Sequence, residues 1–322
     1  MKQNNPDEYT ERKTMDKPFD PIEPDGAEDI LKPPETPLWL FISEFMENRL
    51  AVLGFFIFLG IFLIALSAPW ISPQNPFDLA QLDIMNSELK PGAKIGDMTF
   101  WLGTDGQGRD MLSAIFYGLR VSLTVSVVST IIAVIIGSVM GLISAYFGGR
   151  TDMLVMRIVD IQLSFPPMLV ALILIAVLGQ GADKIIISLV AVQWAYYART
   201  IRGSALVERS KEYIEAASCL SLSHRRIMFV HLLPNCLPPV IIVLTIQVAR
   251  AIIIESSLSF LGIGLPITEP SLGLLVANGF EFMLSGMYWI SFFPGIALVF
   301  TILSINLVGD HLRDILNPRL KK

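Results

Sequence analysis

The sequence predicts an all-α membrane protein, and two observations carry this fold class. Of the 322 residues, 53% are hydrophobic and only 16% are charged, and the mean hydropathy is +0.59. Residues 50–71 and 121–147 are uncharged runs of 22 and 27 residues. A 22-residue helix is about 33 Å long, close to the hydrocarbon thickness of a bilayer. We therefore expect membrane-spanning helices rather than a soluble domain.

Six spans are predicted along the chain, all mostly uncharged: residues 50–71, 121–147, 153–178, 185–198, 237–258 and 289–309. The third is interrupted by Arg157 and Asp160. The fourth is short, but an aromatic cluster and Arg199 at its end are typical of a membrane interface. Six spans place both termini on the same side of the membrane.

The N-terminal segment differs in composition from the remainder of the chain. Residues 1–37 hold 10 acidic and 5 basic residues and 7 of the 20 prolines, whereas residues 38–322 hold 19 acidic and 19 basic residues. Such a segment has too little apolar surface to offset its ordering entropy. We predict a disordered acidic tail over residues 1–37 and a transmembrane domain over residues 38–322. The net charge of −5 therefore gives no argument for a nucleic-acid partner.

The distribution of basic residues predicts the orientation. The termini, the turn at residues 148–157 and the stretch 199–226 together carry 18 Lys and Arg, against 5 on the other side. Under the positive-inside rule both termini are cytoplasmic. The connections at residues 72–120 and 259–288 are then external.

The sequence gives no catalytic constellation. The glycine-rich run at residues 102–110 lacks the Gly-Lys-Ser/Thr ending of a phosphate-binding loop, and we expect no strand before it. We interpret it as a turn in which Asp110 caps an interfacial helix over residues 111–119. The histidines have no metal-binding spacing, and Walker A and nucleophile-elbow motifs are absent from the sequence. We expect this chain to bind neither a metal nor a cofactor.

The connection between the fourth and fifth spans, residues 199–234, is polar yet has helical periodicity. Four residues recur at helical spacing and predict one face: Tyr213, Ala216, Ala217 and Leu220. Two alanines on a face allow another surface to approach closely. Glu215 points elsewhere, Ser223 is expected to cap a second helix, and Pro234 marks the return to the membrane. The stretch is either a solvated loop or a docking helix for a cytoplasmic partner.

A family resemblance favours docking. The segment Glu215-Ala-Ala-Ser-Cys-Leu-Ser221, followed after nine residues by His231-Leu-Leu-Pro234, resembles the "EAA" coupling loop of ABC importer permeases. That consensus has Glu-Ala-Ala, three residues, Gly, nine residues and Ile-x-Leu-Pro. The spacing is intact, but Ser221 replaces the glycine that normally makes the turn between two coupling helices. His231 replaces an apolar residue.

Further segments are similar to the C-type permease of dipeptide, oligopeptide and nickel importers: residues 102–105, 108–110, 117–123, 194–203, 258–264 and 306–314. The resemblance covers roughly residues 40–320. It implies the type I ABC importer permease fold, with a cytoplasmic coupling helix, in the bacterial inner membrane.

The resemblance also implies the partners and the cargo. These are a second permease in a heterodimer, two cytoplasmic ATPase subunits that bind ATP and Mg²⁺, and an extracytoplasmic solute-binding protein. The implied function is ATP-driven import of dipeptides or oligopeptides, with nickel complexes or another small solute as the alternative cargo. The residues implied in coupling to the ATPase are Glu215, Ala216, Ala217, Leu220, Ser221, Leu233 and Pro234.

Ionisable residues inside spans are the candidates for the translocation pathway. Each costs on the order of 2.5–3.5 kcal/mol on insertion scales and usually faces a cavity or a partner. Arg250, Glu255 and Asp160 therefore either line the passage or make structural contacts. The rival functional classes are an ATP-independent secondary transporter and a membrane enzyme. The first would be expected to show inverted repeats, and none is visible in the sequence.

Overall fold

The computed structural model describes residues 37–96, 98–266 and 268–316. In these ranges the chain forms eleven α-helical segments and one β-hairpin, in the order α1 Pro37–Glu47, α2 Arg49–Ile71, β1 Ala93–Ile95, β2 Met98–Phe100, α3 Met111–Phe147, α4 Gly149–Leu163, α5 Pro167–Leu178, α6 Ala182–Arg209, α7 Glu212–Cys219, α8 His224–Arg226, α9 Leu237–Phe260, α10 Leu272–Phe280 and α11 Trp289–Leu316. The predicted tail lies outside the described residues except for Pro37, where α1 begins. The described residues from Ser43 onward form one compact unit.

Four helical stretches in the described part are long and apolar enough to cross a membrane: α2, α3, the continuous stretch His224–Phe260, and α11. The pair α4 and α5 makes a fifth if it is counted as one bent span. The 28-residue helix α6 is not among them, because its six charged residues lower its hydropathy. The predicted count of six depends on including α6.

The third predicted span is not a straight helix. Helices α4 and α5 meet at an angle of 92° across residues 164–166. Pro166 and Pro167 cause the break, because proline lacks the backbone N–H that would continue the hydrogen-bond ladder and restricts the preceding residue. Pro167 instead occupies the first turn of α5, where its missing N–H has no helical partner to lose.

The interfacial helix predicted over residues 111–119 is not separate. It is continuous with the second span, and together they form the 37-residue helix α3. Arg120 is exposed and lies inside this helix, since a charge that reaches the membrane interface does not interrupt helical hydrogen bonding.

Helices α3 and α6 form the most extensive helix pair. Gly137 and Gly141 let the two backbones meet, since a Cβ at either position would lie 2.4 Å from a backbone oxygen of α6, at Trp194 or Ala198 respectively. This is the small-xxx-small packing that is common between membrane helices. It makes α3 and α6 the rigid centre of the bundle.

The connection between α2 and α3 folds at one end of the bundle, the distal end, which also holds α10. Strands β1 and β2 pair antiparallel, with Lys94 opposite Thr99, so the expectation of no strand before the glycine-rich run is wrong. The run is nevertheless a turn, because the Asp105 carboxylate accepts from the backbone N–H groups of Gln107 and Arg109 at 2.8 and 3.0 Å.

Asp110 caps α3 as predicted. Its carboxylate accepts from the backbone N–H and the hydroxyl of Ser113 at 2.9 and 2.6 Å. Burial raises the pKa of the Asp110 carboxyl above its ordinary value, even though the Ser113 hydrogen bonds act in the opposite direction. The cap fixes where α3 begins at the distal end.

Candidate functional site

The candidate coupling loop lies at the opposite end of the bundle, the coupling end. Helix α6 continues to Arg209, so the first third of the predicted loop is the extension of a bundle helix. The eight-residue α7 follows, and then α8 leads through a π-helical turn, Ile227–Leu232, into a 3-10 turn, Pro234–Cys236. The predicted second helix begins at His224 as expected, but the side chain of Ser223 makes no capping hydrogen bond.

One side of α7 is anchored in the body of the protein. Ile214 and Ala217 are buried and pack in a cluster with Ile227, Met228 and Leu232 of the π-helical turn. The same cluster includes residues of α3 and α6. The coupling helix is therefore attached to the rigid centre of the bundle.

The predicted docking face is only partly exposed. Ala217 is 5% exposed, whereas Leu220 is 74% exposed and Ala216 is also at the surface. The side of α7 that packs into the core is centred on Ile214 and Ala217. The predicted docking face therefore combined one residue of this buried side, Ala217, with exposed residues. Ala217 therefore anchors the helix instead of presenting a free surface. The exposed side of α7 carries Glu212, Glu215, Ala216, Cys219 and Leu220.

Ser221 makes the turn that ends α7. Its backbone has φ +55°, in the left-handed region. The N–H of Ser221 donates to the Ser218 carbonyl at 3.0 Å, and that of Leu222 donates to the Ala217 carbonyl at 3.3 Å. This pair of bonds is the Schellman motif, which usually has glycine at the left-handed position. Ser221 thus adopts the turn conformation expected of the consensus glycine.

A polar network fixes the entry to and exit from α7. Glu208 of α6 accepts from Lys211 Nζ at 2.7 Å and from the Tyr213 hydroxyl at 2.8 Å. Asn235 donates to the Tyr213 oxygen at 3.2 Å and to the His231 carbonyl at 2.7 Å. Burial and the hydrogen bond to Glu208 raise the pKa of Tyr213 to about 12, so this hydroxyl remains a donor at neutral pH.

A second brace joins the loop to the end of α3. The Tyr146 hydroxyl and His224 Nδ1 are 2.6 Å apart. Arg209 donates to the Ala145 carbonyl at 2.9 Å, and its guanidinium lies 6.0 Å from the centre of the Tyr146 ring. The sequence pattern did not reveal this brace, because its members are far apart in the chain. The one available signal was the aromatic pair Tyr146-Phe147 at the end of an apolar run.

The remaining coupling residues lie where the loop returns to the bundle. Leu233 is half-buried against the core cluster, and Pro234 is exposed at the start of the 3-10 turn. Coupling to an ATPase through these residues remains a prediction.

The three candidate pathway residues have different surroundings. Asp160 pairs with Arg199, and both side chains are more than half exposed. The guanidinium of Arg250 lies 5.6 Å from the centre of the Tyr196 ring, and its side chain is also exposed. Tyr196 and Arg199 are three residues apart on α6 and share a face. Asp160, Tyr196, Arg199 and Arg250 thus form a polar surface, which we call the polar stripe.

Glu255 is enclosed instead. Its side chain is 0% exposed, and its carboxylate accepts from Ser259 at 2.9 Å and Ser256 at 3.3 Å. Ser122 of α3 and Ser271 at the start of α10 also lie against this carboxylate. The carboxylate is therefore enclosed between three helices, which favours a structural role. Its assignment to the pathway remains a prediction.

Comparison with known proteins agrees with this architecture. Residues 133–322 match the family described as "Binding-protein-dependent transport system inner membrane component". Residues 36–91 match the "N-terminal TM domain of oligopeptide transport permease C".

Relatives match over nearly the whole chain. The dipeptide transport system permease protein DppC of Escherichia coli is 38% identical over 90% of this chain and 95% of its own length. DppC of Haemophilus influenzae is 33% identical over 90% of this chain and 97% of its own length. A solved structure of the MetNI methionine ABC transporter shares the fold with a TM-score of 0.51 at 19% identity, over 64% of this chain and 98% of that one. The chain therefore belongs to the family of inner membrane components of binding-protein-dependent transport systems, among the C-type permeases of ABC importers.

Proposed function

We propose that this chain is the permease subunit that carries dipeptides or oligopeptides across the bacterial inner membrane, driven by ATP hydrolysis on separate ATPase subunits. The observation that carries the coupling role is α7, which presents an exposed face while its other face is fixed to α3 and α6. The names of the relatives support the peptide cargo. Membership of the family and the apolar helices make the chain a multi-pass membrane protein.

The anchored loop is suited to transmit motion. When nucleotide binding closes the two ATPase subunits, a helix docked on them is displaced with them. Because α7 is held by buried side chains and by the Glu208 and Tyr146 hydrogen bonds, it does not move independently of α3 and α6. The displacement then becomes a rigid-body movement of the spans.

The polar stripe supports a second permease as partner. A charged side chain near the middle of a span is costly when it faces lipid. Arg250 is the fourteenth of the 24 residues of α9 and is exposed in this chain. We propose that a second permease and the passage between the two chains cover this surface. A solute-binding protein would deliver the peptide at the distal end, and both termini would be cytoplasmic.

The substitution Ala216→Arg tests the coupling assignment. A large cation on the exposed face of α7 should prevent close docking while leaving the anchored face intact. We expect the ATPase subunits to be lost on co-purification and ATP-dependent uptake of a labelled dipeptide in proteoliposomes to fall to background. The matched control is Ala80→Arg, at an exposed alanine of the distal end, which should retain the ATPase subunits.

The same assay separates the alternatives. Normal ATPase binding and uptake by Ala216→Arg would refute the docking role. Uptake without ATP would favour a secondary transporter, and uptake of nickel complexes in place of peptides would change the cargo but not the coupling mechanism.

A further inference from the structure

A groove on the outer surface of the bundle lies between α2 and α3 and ends at a cation. Phe62 and Leu66 line its α2 side, and Leu123, Val127 and Val128 line its α3 side. Arg120 lines the end nearest the start of α3. The groove encloses about 290 Å³ and is otherwise almost entirely apolar.

The groove has the depth of part of one membrane leaflet. Arg120 and Val128 are eight residues apart, which is about 12 Å along a helix. Half of the hydrocarbon core is about 15 Å deep. Trp70 is 81% exposed and lies one turn beyond Leu66, toward the same end as Arg120. Since exposed tryptophans mark the headgroup level, the end of the groove that Arg120 lines is the end nearer the headgroups, and the groove extends from there into the hydrocarbon region.

Among the described residues, no side chain forms an ion pair with the cation at the mouth of the groove. Arg120 itself is exposed. Helix α2 contains no acidic residue, and neither do residues 111–124 of α3. A guanidinium in this position fits a phosphate, with which it can form two charge-assisted hydrogen bonds.

We propose that this groove is a binding site for an anionic phospholipid, with the phosphate at Arg120 and one acyl chain between α2 and α3. The Arg120 cation fits the phosphate of a lipid and the apolar groove fits its acyl chain. A soluble phosphate would contact the cation but leave the groove empty. The site depends only on the chain being in a membrane and not on which solute it transports.

Native mass spectrometry of the full-length chain in mild detergent tests the proposal, with phosphatidylglycerol and phosphatidylcholine as probes. We expect wild-type protein to retain phosphatidylglycerol in preference to phosphatidylcholine. Arg120→Gln should weaken phosphatidylglycerol retention about tenfold or more, as for the loss of a charge-assisted hydrogen bond. Thr124 also lines the groove, so Thr124→Trp keeps the cation but fills the groove, and it should weaken retention as well. Lys94→Gln removes an exposed cation of β1 outside the groove and should change nothing.

The following results would overturn the proposed lipid site. Equal retention of the two lipids, or unchanged retention in Arg120→Gln, would mean that the cation selects no anionic lipid. A loss in Arg120→Gln without one in Thr124→Trp would mean that no acyl chain occupies the groove. If Thr124→Trp fails to elute as a folded protein, Val128→Phe replaces it as the groove-filling variant. Cross-linking of a Thr124→Cys variant to a second permease in membranes would show that protein covers the groove.

Discussion

Ser221 holds the turn after α7 in a left-handed conformation that is unfavourable for residues with a Cβ. The cost is about 1–2 kcal/mol for an L-residue and is absent for glycine. The surrounding Schellman hydrogen bonds and the packing of Leu222 on the core cluster keep the turn in place. The family spacing is therefore compatible with serine at a position that glycine would fill without strain.

Ser221→Gly should stabilise the coupling loop. We expect the free energy of unfolding to rise by at most about 1 kcal/mol, because the gain in backbone freedom of the unfolded glycine offsets part of the relieved strain. Thermal unfolding in detergent measures the change, and ATP-dependent uptake should stay at the wild-type level. A clear loss of stability would mean that the Ser221 side chain stabilises the folded loop by more than the left-handed backbone conformation destabilises it.

The Glu255 carboxylate should contribute to stability through its serine partners. Glu255→Ala leaves the hydroxyls of Ser256 and Ser259 without their acceptor in a buried site, which costs on the order of 1–3 kcal/mol for an unsatisfied group. We expect a lower unfolding temperature in detergent, and Glu255→Gln should recover part of the loss because its amide oxygen still accepts. The control is Ser257→Ala, since the Ser257 hydroxyl donates to the Ile253 carbonyl of its own helix and not to the Glu255 carboxylate. Equal stability of Glu255→Ala and wild type would contradict the structural role.

The contact between α3 and α6 depends on two glycines that a hydropathy profile does not distinguish from other small residues. A Cβ at position 141 would lie 2.4 Å from the Ala198 carbonyl oxygen, whereas nothing lies within 4 Å of the corresponding point at Gly203. Gly141→Ala should therefore force the helices apart and lower the free energy of unfolding by about 1–3 kcal/mol. Gly203→Ala should be neutral or slightly stabilising, because alanine is the better helix former. The two unfolding temperatures measure the difference, and equal values would mean that α3 and α6 can separate at no cost.

Hydropathy located the longest spans well, because an uncharged apolar run of about twenty residues is what crossing a bilayer requires. The first predicted span, residues 50–71, differs from α2 by one residue. Hydropathy could not locate the bend between α4 and α5, since Phe165, Pro166 and Pro167 are themselves uncharged. Only the conformational restriction of proline indicates a break there.

The spacing of the coupling-loop residues could be predicted from the sequence, but the orientation of α7 against the bundle could not. Glu215 and Pro234 lie where the family pattern places them, but the same pattern cannot say which side of α7 is covered by the protein's own core. Ala217 was assigned to the docking surface because it follows Ala216 on one helical arc. The partners that bury it, Ile227 and Met228, come from a later turn whose π-helical geometry has no sequence signature here.

The polar stripe bears on how the chain sits in a complete transporter. Asp160, Tyr196, Arg199 and Arg250 belong to three different helices, and Asp160, Arg199 and Arg250 are exposed in the isolated chain. In contrast, the exposed residues of α2 after Arg49, such as Leu63, are apolar. A membrane protein that presents both kinds of surface has one side for lipid and another for water or a partner.

Cysteine labelling distinguishes the side of the chain that faces lipid from the side that faces water or a partner. In a background without Cys219 and Cys236, Arg250→Cys should react with a membrane-impermeant methanethiosulfonate reagent in the assembled transporter, because the proposed passage between two permeases would admit water. Leu63→Cys, 53% exposed in the chain, should remain unlabelled because lipid excludes the reagent. Added ATP and vanadate should change the labelling rate of Arg250→Cys, since in the proposed mechanism closure of the ATPase subunits would move α6 and α9 relative to the partner chain. If both cysteines stay unlabelled in every state, the polar stripe is sealed by protein contacts, and Arg250 anchors the second permease instead of lining the passage.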